Sequence, residues 1–238
     1  MNLRILLLLF FIVGCQSNKN KQESYDLNSE VSKQILDLNF QVKGLKKGKI
    51  TLKKLNDSSY FKIDSFTVKG NEIVNFTYAL KEPEMLFLDL DFADGSETKS
   101  LSFFAENNKM DVITSLDNYG YNVLVKGSRN DALLRDYISI NKKFNDKKLD
   151  LFERSFENSK TNNTDSLKII ENSIININTR QFLHNANYAV RNANYEIAPY
   201  IALTDLFESK KILDTVYKSL KGDVKNSKYA LQLKSLID

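Results

Sequence analysis

The chain has 238 residues, 42% of them hydrophobic, and a formal net charge of +4, or +3 once the first 14 residues and their one charge, Arg4, are set aside. That length allows one large or two small domains, and that apolar fraction supplies a core, which excludes a globally disordered chain. Basic and acidic residues interleave along most of the sequence, so a basic stripe for nucleic acid is excluded too.

In chain order, a short positive start at Arg4 leads into the apolar run Ile5–Val13. Nine apolar residues are too few to span a bilayer but suit the core of a signal peptide. The run ends Ile12-Val13-Gly14-Cys15, and Cys15 is the only cysteine in the chain. The stretch resembles a bacterial lipoprotein signal. The resemblance implies a diacylglyceryl group on the Cys15 sulfur, cleavage before Cys15 and acylation of the new N-terminus. A membrane partner through that anchor is implied with it, since one acyl chain binds marginally and two or more hold. Gln16 follows the cysteine with no acidic residue at that place. By analogy with other lipoproteins this points to the outer membrane, and the lack of an acidic cluster in QSNKNKQES points to the periplasmic side. With its one thiol committed to lipid, the chain is expected to have no disulfide, no CxxC redox pair and no thiolate metal site. Residues 1–14 are thus expected as signal peptide and residues 15–36 as a tether with a reach of about 25 Å. EVSKQILDL is expected to form a short helical turn at its end.

Residues 37–128 read as strands and turns. GKITLKKL alternates through Ile50 and Leu52 and then slips to Leu55. Phe61, Ile63, Phe66 and Val68 precede a break at Gly70-Asn71, and Val74, Phe76, Tyr78 and Leu80 follow it. In MLFLDLDF, Leu86, Leu88, Leu90 and Phe92 share one face and Phe87, Asp89 and Asp91 the other. LSFFAE, DVITSL and YNVLVKG complete the set. Short strands between turns, with no crossover helix, predict an antiparallel sandwich or open barrel rather than a parallel sheet. The cluster Lys43, Lys46, Lys47, Lys49, Lys53 and Lys54 reads as edge and turn lysines that discourage edge pairing, the alternative being a contact with anionic lipid. DLDFADGSE places Asp89, Asp91, Asp94 and Glu97 together. A calcium loop of the EF-hand type needs a glutamate at its twelfth position, where this chain has Ser100, so two strand carboxylates before a hairpin turn describe it more simply.

The period changes to helical at Asn130, expected as an N-cap, with Leu133, Leu134, Tyr137, Ile138, Asn141 and Phe144 on one stripe. A second, shorter helix is expected over 149–160, a long one from Ser166 to about Asn192, one with Pro199 in its first turn, one over 209–220 with Ser209 as cap and Gly222 as stop, and a last one opening at Asn226 or Ser227. Residues 129–238 are therefore expected as a helical domain behind the strands, an α+β chain.

Sites are sparse. His184 is the only histidine, and a lone histidine on a long helix reads as a structural group. Tyr188, Tyr195 and Tyr200, interleaved with Asn185, Asn187, Asn192 and Asn194, read either as a ligand cleft or as a helix junction that buries rings and keeps hydroxyls wet. No glycine-rich phosphate loop occurs and nothing like GxSxG, so neither a cofactor nor a catalytic residue is expected.

FQVKG, IDSFTVKGNEIVNF, EPEMLFLDL, SFFAENNKMDV and VLVKGSRNDALLRDY together resemble the uncharacterised domain at the N-terminus of many Bacteroidota envelope lipoproteins. The helical part, with NANYEIAPYIAL and NSKYALQLKSLI, is similar to the segment that in those relatives precedes a thioredoxin-like CxxC domain. That catalytic domain is expected to be absent here, so the resemblance implies a compartment and a fold and no catalytic residue. The readings of function are then a non-catalytic, lipid-anchored binding or interaction module with an envelope partner; an accessory of a thiol-disulfide pathway acting with a separate thioredoxin-like protein; and, least, a hydrolase built from Asp89, Asp91 and His184.

Overall fold

The computed structural model describes residues 34–56, 59–70, 73–161 and 163–238. Cys15, the expected signal peptide and most of the expected tether lie outside them. Eight strands come first: β1 (Ile35–Lys43), β2 (Lys47–Asn56), β3 (Ser59–Lys69), β4 (Ile73–Ala79), β5 (Glu84–Phe92), β6 (Thr98–Ala105), β7 (Lys109–Ser115) and β8 (Leu124–Lys126). Five α-helices follow: α1 (Arg129–Lys160), α2 (Thr164–Arg191), α3 (Ile197–Asp205), α4 (Lys210–Ser219) and α5 (Lys228–Ile237), with a 3-10 turn at Gly222–Asn226 before the last. The expected α+β fold is the one observed.

The strands form two four-stranded sheets, ordered β4-β1-β7-β8 and β3-β2-β5-β6. Period-two alternation builds the space between them. Leu36, Leu38 and Phe40 of β1, Ile50 and Leu52 of β2, and Leu86, Leu88 and Leu90 of β5 are buried in one cluster. The alternate positions of β5 and β6 serve a second core. Phe103 faces the sandwich, while its neighbour Phe104 is buried among the helices with Met85, Tyr229 and Ala198. One sheet thus carries a core on each side, the arrangement that a layered domain requires of a sheet apolar on both faces.

Several local expectations are corrected. From Ile35 onward the EVSKQILDL segment is strand, because alternate residues Leu36 and Leu38 are wanted in the sandwich core. β1 pairs antiparallel with β4 but parallel with β7. No crossover helix is needed, since the whole second sheet connects the two strands. The slip before Leu55 is a register shift between Leu52 and Lys53 against β3, where Ile63 is the extra residue. β2 is an interior strand, so its lysines are not edge guards: Lys53 forms an ion pair with Asp89, and Lys54 donates to the Tyr78 hydroxyl at 2.8 Å.

The two expected helices between Asn130 and Lys160 are one continuous helix. The apolar stripe thins after Phe144 because the distal half of α1 packs mainly on α2, burying Leu151 and Ile170. Ser128, not Asn130, caps α1, its Oγ accepting from Asp131 N at 2.9 Å. Asn163 caps α2, Pro199 stands in the first turn of α3, and Ser227 caps α5. Gly222 does not stop α4, which already turns extended at Leu220; it opens the 3-10 turn.

A polar joint fixes the helices to the sandwich. Glu106 Oε1, just after β6, accepts from Asn130 N at 2.7 Å, Asn130 Nδ2 at 3.0 Å and Ser128 Oγ at 3.1 Å. Asn130 Nδ2 also donates to Glu196 Oε2 at 3.0 Å, and Asn130 Oδ1 accepts from Ile197 N at 2.9 Å, the first residue of α3. On the far side, Lys228 Nζ donates to Glu84 Oε2 and Lys228 N to Glu82 Oε2, both at 2.8 Å, and the Tyr229 hydroxyl accepts from Met85 N at 2.9 Å. Burial pushes the Glu196 carboxyl above its ordinary range. An acid whose pKa rises on folding holds its proton more tightly in the folded state, so its contribution weakens as pH climbs past the unfolded value, about 4.3. Glu196→Gln is expected to flatten the loss of stability as pH rises above the unfolded value of about 4.3, measured by urea denaturation on both sides of it; an unchanged slope would count against this assignment.

Candidate functional site

The sequence-predicted tyrosines pack in or against the second core. Tyr188 donates to Leu133 O at 2.8 Å, lies 3.1 Å from Asp136 Oδ2, and stacks at a tilt on Tyr137. Tyr195 lies under the Arg129 guanidinium. Tyr200 sits edge-on to Phe104 and Tyr229, 5.7 and 5.3 Å between ring centres. Burial raises the phenols of Tyr188, Tyr200 and Tyr229, which suits rings packed in a core with their hydroxyls kept neutral.

The acidic stretch behaves as a hairpin. Asp89 pairs with Lys53, Asp91 Oδ1 accepts from Thr98 Oγ1 at 2.7 Å, and Asp94 Oδ1 accepts from Ser96 N at 3.0 Å. His184 stands elsewhere, on α2, between the rings of Phe144 and Tyr188. No hydrogen bond or ion pair links it to either aspartate, and among the described residues no group of three or more His, Cys, Asp or Glu side chains is placed to hold a metal ion.

A concave feature lies further along the helices. A groove of about 640 Å³ runs between α1, α2 and the end of α3. α1 contributes Tyr137, Ile138, Asn141, Lys142 and Asn145; α2 contributes Asn178, Gln181, Phe182 and Asn185; Thr204, Asp205 and Phe207 close one end. Helical geometry places them together. Positions 137, 141 and 145 repeat every four residues, and 178, 181 and 185 follow the three-then-four rhythm of one helix face. Asparagine is an indifferent helix former, so the four asparagines among the five carboxamides on these two facing stripes are not there for helix propensity.

Their hydrogen bonds bridge the helices. Gln181 Nε2 donates to Asn141 Oδ1 at 2.7 Å and Asn145 Oδ1 at 3.3 Å, and Lys148 Nζ donates to Gln181 Oε1 at 2.9 Å. At the closed end the Tyr137 hydroxyl donates to Asp205 Oδ2 at 2.5 Å. Burial, with the Asp205 acceptor beside it, raises the Tyr137 phenol, so it stays a neutral donor. Asn185 is 6% exposed, and its Oδ1 is buried with no hydrogen-bond partner. Phe207 and Ile138 are 59% and 47% exposed at the same groove. Lys142 and Asp205 are the charged residues of the lining, of opposite sign, and Lys142 is already paired with Asp146 at 2.7 Å. The lining is therefore balanced in charge and dense in paired donors and acceptors.

The sequence signal for this groove was the amide spacing on two long helices. Asn141 stood in the helical stripe and Asn185 among the tyrosines, but nothing in the sequence said that these two faces meet.

A two-sheet sandwich joined to a helical layer, with a carboxamide-lined groove in that layer, is the class of protein that the fold and site define. Residues 36–134 match the model of a family described as a domain of unknown function, DUF4369. The match runs from β1 into the first turns of α1, so it takes in Asn130 and Asp131 and leaves the groove outside. No curated protein matches the chain.

Proposed function

We propose that the protein is a lipid-anchored cell-envelope protein, held in the outer membrane and facing the periplasm, that acts as a non-catalytic binding module. The observation that carries the anchor is Cys15 itself, a lone thiol placed directly after Ile12-Val13-Gly14 at the end of an apolar run. What supports binding rather than turnover is the donor set of the groove. Five of its twelve lining side chains are carboxamides, which hydrogen-bond in both directions and neither release nor take up protons near neutral pH, and its charged groups are already engaged, Asp205 by the Tyr137 hydroxyl and Lys142 by Asp146.

Cys15→Ser tests the anchor. The parent chain is expected in the membrane fraction, with a mass showing cleavage before Cys15 and added diacylglyceryl and acyl groups. The variant is expected uncleaved and without that mass. A parent chain recovered with Cys15 as a bare thiol would overturn the proposal.

A further inference from the structure

The groove between α1, α2 and the end of α3 carries a defect that a folded protein removes unless something uses it. A buried acceptor left unpaired costs roughly 1–3 kcal/mol, and each such group in a native protein calls for a reason. Asn185 Oδ1 is such a group, on a side chain 94% buried by the complement of its 6% exposure.

We propose that this groove binds a neutral saccharide of one or two rings, with the Asn185 amide, whose Oδ1 is sealed from solvent, turning on binding so that this oxygen accepts from a ligand hydroxyl. The proposal rests on the binding-module reading above and names its ligand class. Sugar hydroxyls are donor and acceptor at once, as are carboxamides, and Asn178 and Asn185 lie on the lining outside the Gln181 bridge. The lining carries one charge of each sign, Lys142 and Asp205, so it has no net charge to draw in a phosphate, a polyanion or a polyamine. Exposed Phe207 provides an apolar face that the C–H side of a pyranose ring can cover. The volume of about 640 Å³ suits a small ligand. The Gln181 bridge to Asn141 and Asn145 crosses the groove midway along the α2 stripe. It interrupts the long continuous track that an extended peptide would occupy, and favours a compact ring.

The test uses the full lipidated chain in a detergent without sugar headgroups. An array of neutral mono- and disaccharides, including maltose, cellobiose, lactose and N,N′-diacetylchitobiose, is titrated to about 10 mM by calorimetry and saturation-transfer NMR, with tetra-alanine as the peptide probe. At least one sugar is expected to bind. Asn185→Leu is expected to weaken it by about tenfold or more, while leaving the melting temperature level or higher, because the unpaired acceptor is gone. A residue whose role was only structural would not show that opposition. Should Asn185→Leu fail to fold, Phe207→Ala, at an exposed position, carries the test with an expected loss of about fivefold. The proposal is overturned if no sugar binds, or if binding is indifferent to both substitutions. Binding of tetra-alanine alone, lost in Asn185→Leu, would overturn the saccharide while keeping the binding module; the anchor stands or falls separately on Cys15→Ser.

Discussion

Replacing Gly127 with alanine is expected to lower stability by more than about 3 kcal/mol and the melting temperature by about 6–12 °C. Gly127 joins β8 to the cap of α1 with φ +87°, in the left-handed region. A side chain there costs about 1–2 kcal/mol in backbone conformation alone. The larger cost is steric. A Cβ at Gly127 would lie 2.3 Å from Lys109 O and 3.1 Å from Met110 Cα, and these are backbone atoms of β7 that cannot rotate away. β7 is held on one side by β1 and on the other by β8, so its displacement disturbs the middle of the first sheet. Gly95→Ala separates the two costs. Gly95 also has positive φ, +71°, but a Cβ there meets nothing within 4 Å. It is expected to lose about 1 kcal/mol, measured in the same urea titration. Equal losses at the two positions would show that the contact with β7 relaxes without cost.

The same turn shows how much of the fold was legible in sequence. Val125-Lys126-Gly127-Ser128 announced a strand that ends tightly and opens a helix, and the structure has both. SRND offers three residues able to cap, Ser128, Asn130 and Asp131. Which of them caps depends on Glu106 and Glu196 reaching for Asn130, and sequence periodicity does not contain that contact. Alternation in MLFLDLDF fixed which residues of β5 face the sandwich, because pleating is local. The parallel pairing of β1 with β7 was not legible, since the two strands are brought together only by closing the sheet between them. Helix continuity through residues 144–149 was missed for a related reason. A helix that leaves the core loses its apolar stripe while keeping its backbone hydrogen bonds, and the Lys142–Asp146 pair belongs to that solvated surface. For the site, aromatic residues drew attention to Tyr188, Tyr195 and Tyr200, which the second core absorbs. The groove was written in amides, residue types that are ordinary on any solvated helix until two stripes of them face each other.

Asp131→Ala is expected to cost about 3 kcal/mol, and the reason lies in which of its partners can return to water. Asp131 is 1% exposed. Its Oδ1 accepts from Phe104 N at 2.9 Å and Arg135 Nη2 at 3.1 Å, and its Oδ2 accepts from Arg135 Nε at 3.0 Å. Arg135 is one-third exposed and keeps a second partner in Ser102 O at 2.7 Å, so losing the aspartate leaves its charge solvated. Phe104 is fully buried, and its N–H, on the edge strand β6 where no further strand pairs, has no water to turn to. The unpaired donor, rather than the ion pair, therefore sets most of the cost. Asp131→Asn separates the two: the amide oxygen still accepts from Phe104 N while the charge is lost, and the expected cost falls to about 1 kcal/mol. Urea denaturation of both variants, with Asp146→Ala as an exposed ion-pair control expected to change stability by less than about 0.5 kcal/mol, gives the ranking. If Asp131→Asn proved as damaging as Asp131→Ala, the charge pair with Arg135 would be what fastens α1 to the sandwich; if neither variant lost more than the control, the bond to Phe104 would be fastening nothing.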